Sequence, residues 1–327
     1  MKAGFDEKPV REFNFELDFD GQKLRDFLEK ANISFDSVPE QVLYDLGCGK
    51  LVDGQFVINT AGVLFFAVKP ERFVRENYVT CIKYKGDSVM HMIDRKDIYG
   101  DLVFLVDEAE KFVRTHTRIA SKFEGFARID IEEYPYLAVR EAIVNAVCHR
   151  DYSLGNNIFI NIFDSMIEVI SPGGIPNNLP LKEVWGKSYP RNNVVVGLFH
   201  RLGKKYVEKA GTGLKRMDEE MILKGLDKPR YEASSAFFTI TFKGPGDKIF
   251  DLVKPGDRID LRELGLNERQ IKALNHIQEK GFITRKQYQQ LYKVSKMTSL
   301  RDLDELVEKH RFIRVEGKSV SAKYFLQ

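Results

Sequence analysis

Long apolar runs, paired cysteines and a phosphate-loop signature are missing from this chain of 327 residues. The longest apolar run, around Ala61 to Val68, is far too short for a bilayer, which takes about 20 consecutive apolar residues. The opening Met1 to Glu7 lacks the apolar stretch of a signal peptide, so a cytoplasmic location is expected. Cys48, Cys81 and Cys148 are dispersed without metal-ligand spacing, and buried thiols in a reducing compartment are expected rather than disulfides. No Gly-x4-Gly-Lys-Ser/Thr segment occurs, which excludes a P-loop motor. The run from His149 to Asn156 spells a protein-kinase catalytic loop, but no Gly-rich loop, Val-Ala-Ile-Lys strand or Asp-Phe-Gly accompanies it. A helix terminus with a cap and a charge cluster explains that run more simply.

What is present reads as globular: 43% hydrophobic and 30% charged residues, with length for two or three domains. The net charge of +3 conceals a split. Residues 266–327 hold 13 Lys and Arg against 7 Asp and Glu, whereas the rest of the chain holds 38 against 41. The basic character is therefore C-terminal, beyond a Pro/Gly-rich stretch from Gly244 to Asp257 with the composition of a linker. The expected division is an N-terminal α/β region over 1–127, a central domain over 128–243, a linker over 244–265 and a C-terminal domain over 266–327.

The central domain opens with the most informative run, Arg140 to Tyr152. Ala138, Ala142, Ala146, Val139, Ile143 and Val147 give helical periodicity, while Glu141, Asn145 and His149 fall at successive i+4 steps and share a face. A carboxylate and an amide oxygen one turn apart suit metal-assisted phosphate chemistry: one orients or deprotonates water, the other holds a hard cation. Taken alone, a core helix whose Glu and Asn bond to neighbouring backbone is the favoured explanation of the pair. The downstream order favours the site. Asn157 to Phe163 and Met166 to Ile170 read as a hairpin turning at Asp164-Ser165, followed by Ser171-Pro172-Gly173-Gly174-Ile175-Pro176. Gly211-Thr212-Gly213 then opens a further helix, where bare N–H groups and the helix dipole favour phosphate.

This order of motifs resembles the GHKL ATP-binding fold of type II topoisomerases, Hsp90, MutL and sensor histidine kinases. The wording of Tyr134-Pro135, Arg140-Glu141-Ala142, Asn145-Ala146, His149-Arg150-Asp151-Tyr152, Pro172-Gly173-Gly174, Pro190-Arg191-Asn192 and Gly211-Thr212-Gly213 is similar to a prokaryotic family of predicted transcriptional regulators labelled "ATP-dependent DNA helicase-related". The resemblance covers roughly Asn59 to Leu326. It implies that Glu141 activates the hydrolytic water, that Asn145 ligates magnesium, and that ATP meets His149, Arg150, Asp151, Ser171, Gly173, Gly174, Arg191, Asn192, Gly211, Thr212 and Gly213. It also implies a lid over Leu179 to Arg201 and dimerisation as one arrangement. Where the GHKL fold has an Asp for the adenine amino group, Ser171 offers a neutral and weaker acceptor, which lowers the expected adenine preference.

The basic C-terminal domain reads as a winged helix-turn-helix. Asn267 caps a helix from Glu268 to Lys280 stopped by Gly281, Thr284 starts a second to Tyr292, and Ser295 to Lys309 forms a third. Phe312 to Glu316 and Ser319 to Leu326 form the wing around Gly317-Lys318. With Leu300, Leu303, Leu306 and Val307 inward, Ser295, Lys296, Thr298, Ser299 and Arg301 are the expected contacts to double-stranded DNA, joined by Lys318 from the wing. Asp302, Asp304, Glu305 and Glu308 would keep the later part of that helix off DNA, which leaves a protein-contact role as the rival reading.

In the N-terminal region, Asp20 to Lys30, Val38 to Leu46 and Asp101 to Thr117 read as helices, and Gly54 to Ile58, Gly62 to Val68 and Tyr78 to Lys85 as strands. Lys83, Lys85, Arg95 and Lys96 read as solvated face charges. The family's AlbA/Schlafen-type domain usually precedes the segment resembling Asn59 to Phe66, and the 58 residues before it here are too few for that module. The expected molecule is an α+β protein: a GHKL-like α/β sandwich, an N-terminal α/β region and a C-terminal winged helix. Its expected function is DNA-binding transcriptional regulation in which ATP with magnesium modulates the winged helix. A slow magnesium-dependent ATPase switch, or a DNA-binding protein whose GHKL fold is only scaffold, are the alternatives.

Overall fold

The computed structural model describes residues 4–34, 36–124, 127–176, 179–187, 189–203, 206, 211–252, 265–317 and 322–327. Two compact units emerge, one built from residues 1–118 and 132–247, the other from 119–131 and 248–327.

The first unit begins with short helices α1 (Phe15–Asp18), α2 (Gly21–Lys30) and α3 (Pro39–Asp45), the hairpin β1 (Gly49–Val52) and β2 (Gln55–Ile58), and α4 (Thr60–Phe66). β3 (Tyr78–Tyr84), β4 (Met92–Tyr99) and α5 (Leu102–His116) follow. The chain then forms the hairpin β5 (Ile119–Glu124) and β6 (Ala127–Glu132), and returns with α6 (Tyr136–His149), β7 (Ile158–Ile162) and β8 (Met166–Pro172). α7 (Leu181–Val184), α8 (Asn193–Arg201), α9 (Gly213–Leu223), β9 (Arg230–Ala233) and β10 (Phe237–Lys243) complete the unit.

Six strands form one sheet in the order β4-β3-β7-β8-β10-β9. Only β3 and β7 run parallel; the other neighbours are antiparallel. Alternation sets the two faces: Ile158, Ile160, Ile162, Ile167, Val169, Ile240 and Phe242 join the main core, in which α5 and α6 also pack. Ile82, Tyr84 and Phe163 form a smaller cluster on the other side. The sheet draws strands from both sides of position 127.

The expected strand at Gly62–Val68 is instead helix α4, and its side chains from Thr60 to Phe66 are all buried. A helix apolar on every side shows no amphipathic period, which is why the run reads as a strand in the sequence. Its start is fixed by Asn59, whose side chain accepts a bond from the Gly62 amide. Phe65 and Phe66 pack edge-on against Phe27, and Phe65 lies 5.1 Å from Phe199 of α8. Burying each such ring contributes about 1.5–3 kcal/mol. The Asp6 carboxylate accepts from the amides of Val194 and Val195, capping α8 across 188 residues of sequence.

The second unit has helices α10 (Glu268–Lys280), α11 (Arg285–Tyr292) and α12 (Lys296–Asp304), and strands β11 (Ile283–Thr284), β12 (Ile313–Glu316) and β13 (Lys323–Leu326) in the order β11-β13-β12. Asn267 and Thr284 each make a full capping box, so both helix starts are specified locally. Leu274, Ile277, Tyr288, Leu303, Leu306 and Ile313 form a separate core. Three helices with a wing make this a winged helix-turn-helix, and the whole chain is α+β.

Candidate functional site

Helix α6 positions the polar face expected from its spacing. Almost every residue of the helix is buried, Glu141 included at 9% exposure, so its charged groups meet protein on all sides. Asn145 Nδ2 lies 3.5 Å from Glu141 Oε1, and Arg216 Nη1 lies 3.7 Å from Glu141 Oε2. Gly213, the first residue of α9, rests directly on this pair: a β-carbon there would strike the Glu141 carboxylate and come 2.8 Å from Asn145 Nδ2. Glycine permits that approach with the Glu141 and Asn145 side chains as they lie; a larger residue would displace them.

The glycine pair after β8 is equally constrained. Gly173 has φ of +92°, its amide donates to Ala236 O at 2.7 Å, and a β-carbon would press against Asp151. A β-carbon on Gly174 would collide with the Ser234 carbonyl, which belongs to backbone and cannot step aside. Arg191 locks the turn: its guanidinium donates to His149 O at 3.2 Å, Asp151 Oδ2 at 3.0 Å and Gly174 O at 2.7 Å. Burial works against the Asp151 charge, but bonds from Ser153 and the Arg191 and Arg150 charges hold its carboxyl below the usual range.

These parts enclose a cavity of about 150 Å³. That is about the volume of a protein cavity known to hold a benzene ring. Asn145, His149, Ser171, Gly173, Gly174, Gly211 and Gly213 line it, brought together from three separate segments. The His149 imidazole is pushed down to about 4, first by burial and then by the Arg191 charge, so it is neutral at physiological pH. Ser171 donates its hydroxyl proton to Ala146 O at 2.9 Å, which leaves the oxygen as an acceptor only.

Other expected contacts are turned elsewhere. Arg150 is buried and donates to the carbonyls of Glu76 and Asn156, so it fastens loops rather than facing the cavity. Asn192 donates to Cys148 O and Arg150 O and closes the end of α6. Glu141, Asp151, Arg191 and Thr212 are not among the residues that line the cavity. Sequence reasoning missed Lys187 and Tyr189 from the segment after α7, and the strand pair Val169 and Ile240 with Phe238 opposite Ser171. Alternation along each strand was readable, but the pairing of β10 with β8 spans some 70 residues and has no local signal.

In the winged helix, Ser295 caps α12 through the Thr298 amide, and Ser295, Lys296 and Arg301 are exposed while Thr298 is half-buried. Ser299 is a correction: it is fully buried, accepts from Gln289 and donates to Lys296 O, and presents nothing to a groove. Asp302 is another. Far from repelling phosphate at the surface, it is 0% exposed and gathers Arg269 at 2.9 Å, Tyr288 at 3.1 Å and Asn267 at 3.4 Å. Leu300 is only half-buried and lies outside the core it was expected to join. Lys318 lies outside the described residues.

Fold and site together define a two-part protein, an α+β unit with a glycine-lined cavity and a winged helix-turn-helix unit. Residues 155–242 match the family described as "Putative ATP-dependent DNA helicase recG C-terminal", and residues 269–324 match the DeoR-like helix-turn-helix domain. The chain thus carries a RecG-like C-terminal ATPase-type domain and a DeoR-like helix-turn-helix domain. No curated protein matches the sequence. The crystal structure of the DIP2311 protein from Corynebacterium diphtheriae is similar over 100% of this chain and 65% of that one, with a TM-score of 0.61. At 22% identity that likeness shows the fold alone, and this chain spans about two thirds of that protein's solved length. The histidine kinase domain from the Erythrobacter litoralis EL346 blue-light activated histidine kinase aligns with 70% of this chain and 84% of that one. At 11% identity and a TM-score of 0.23, that likeness is too slight to support any inference. Among the described residues, no helix is long and apolar enough to cross a membrane.

Proposed function

We propose that this chain is a transcriptional regulator in which ATP with magnesium, held at the glycine-lined cavity, changes how the C-terminal winged helix engages double-stranded DNA. The observation that carries this reading is the convergence of Asn145, His149, Ser171, the Gly173-Gly174 turn and the Gly211–Gly213 loop on one cavity. The two family matches support it from an independent direction.

The residues fit such a ligand. An aromatic base suits the apolar wall of Val169, Phe238 and Ile240, the Ser171 oxygen accepts an exocyclic amine, and Gly211 to Gly213 offer backbone at the start of α9 for phosphate. With its amide nitrogen turned to Glu141, Asn145 has its oxygen left for magnesium, which when bound would neutralise phosphate charge. Lys296 and Arg301, exposed near the start of α12, are the proposed DNA contacts.

A mobility shift of a random-sequence duplex, with and without ATP and magnesium at several salt concentrations, tests this. Affinity falls steeply with salt, and Lys296→Ala and Arg301→Ala each reduce the slope of log affinity against log salt by about 0.9. ATP changes the midpoint. Equal binding and equal slope in wild type and both variants would make the winged helix a protein-contact module.

A further inference from the structure

The chain passes between the two units at three points: it leaves the first unit after Arg118, re-enters at Glu132 and leaves again after Asp247. In the first unit all three points are tied to one guanidinium. Arg118 Nη1 donates to Glu133 Oε1 at 2.9 Å, the Arg118 amide donates to Glu133 Oε2 at 2.8 Å, and Arg118 Nη2 lies 2.9 Å from Asp247 Oδ1. Glu133 is 2% exposed, so its charge is balanced within the protein rather than by water. Arg118 also donates to Asp164 O at 2.9 Å. Asp164 in turn accepts from Lys83 at 2.9 Å and from the Gly86 amide, so Lys83 is not the solvated charge expected of it.

Three elements connect this cluster with the cavity. Helix α6 starts beside Glu133 and carries Asn145 and His149 at its far end, roughly 20 Å away at 1.5 Å per residue. β8 starts after the Asp164-Ser165 turn and ends at Ser171 and the glycine pair. β10 runs the other way, from Phe238 and Ile240 at the cavity to Lys243, after which the Gly244 amide bonds Ser165 O at 2.8 Å. Each element has one end in the cavity wall and the other at the charge cluster. A ligand that shifts any of the three at the cavity shifts the groups that hold the crossing points.

We infer that Arg118 is the positioning residue through which the cavity and the C-terminal unit are coupled, a role that rests on the proposed nucleotide-modulated DNA binding. It touches neither ligand, so its loss should leave each binding event in place and remove their interdependence.

The test measures affinity for a random-sequence duplex with and without saturating ATP and magnesium, and affinity for ATP alone, in the full chain. Wild type should show a ratio in the range of about 5- to 150-fold, the usual span of allosteric coupling. Arg118→Gln should bind each ligand within about twofold of wild type yet bring the ratio close to one, and Arg118→Lys should recover part of it. An unchanged ratio in Arg118→Gln overturns the inference while leaving the proposed function standing. A ratio of one in wild type removes nucleotide modulation itself, and the inference with it. Should Arg118→Gln fail to fold, as read by its melt, the exposed partner decides: Asp247→Asn must lower the ratio, and a wild-type ratio there overturns the inference.

Discussion

Gly213 shows what a single absent β-carbon decides. Its position at the start of α9 lets that helix lie against Glu141 and Asn145, and any side chain would push the two helices apart or displace the carboxylate. The atoms a β-carbon would meet are the ends of the flexible Glu141 and Asn145 side chains, which can shift, so Gly213→Ala should fold with little change in melting temperature. It should nevertheless weaken ATP at least tenfold by titration, and undiminished affinity would take the glycine loop out of the site. Residues of this kind were legible because spacing alone specifies them: i+4 on one helix, or glycine where backbone must approach closely. Arg150 and Asn192 were not. Their family-like letters suggested a ligand, whereas their partners are the carbonyls of Glu76, Asn156 and Cys148, which only the folded chain brings near. Ser299 failed for a related reason: a helical face leaves i+3 and i+4 neighbours on the border between core and surface, and Gln289 of α11 settled its side.

Among elements, those with local punctuation matched the sequence most closely. α10 runs from Glu268 to Lys280 as its Asn267 cap and Gly281 stop imply, and α11 follows the Thr284 box. β4 was missed because an edge strand with mostly exposed side chains carries no buried alternation. α12 departs at its end, where Glu305–Lys309 widens into a π turn closed by the His310 amide on Glu305 O. The buried Asp302 ties this helix to α10 and α11 through Arg269, Gln270 and Tyr288. Asp302→Ala would strand the Arg269 and Tyr288 donors, while Gln270 keeps the backbone carbonyl it bonds, and a cost of about 2–4 kcal/mol to the winged helix is expected. Hydrogen exchange over residues 265–317 should show the loss confined there, with the amides of the six-stranded sheet unchanged. Protection of α10 and α11 equal to wild type would mean the Asp302 cluster is dispensable.

For the whole molecule, the α+β class, the basic C-terminal domain and the convergence on one cavity were foreseeable from motif order and charge. The sheet was not, because its β3–β7 and β8–β10 pairings join segments some 80 and 70 residues apart that no local pattern links. The same long-range closure that hides the sheet from the sequence is what assembles the cavity wall from Val169, Ser171, Phe238 and Ile240. Nucleotide at that wall is the central claim, and isothermal titration of the full chain with ATP and magnesium tests it most directly. One ATP per chain should bind, with heat that Gly213→Ala greatly reduces. No binding heat at any temperature tried, up to millimolar ATP with magnesium present, would contradict it.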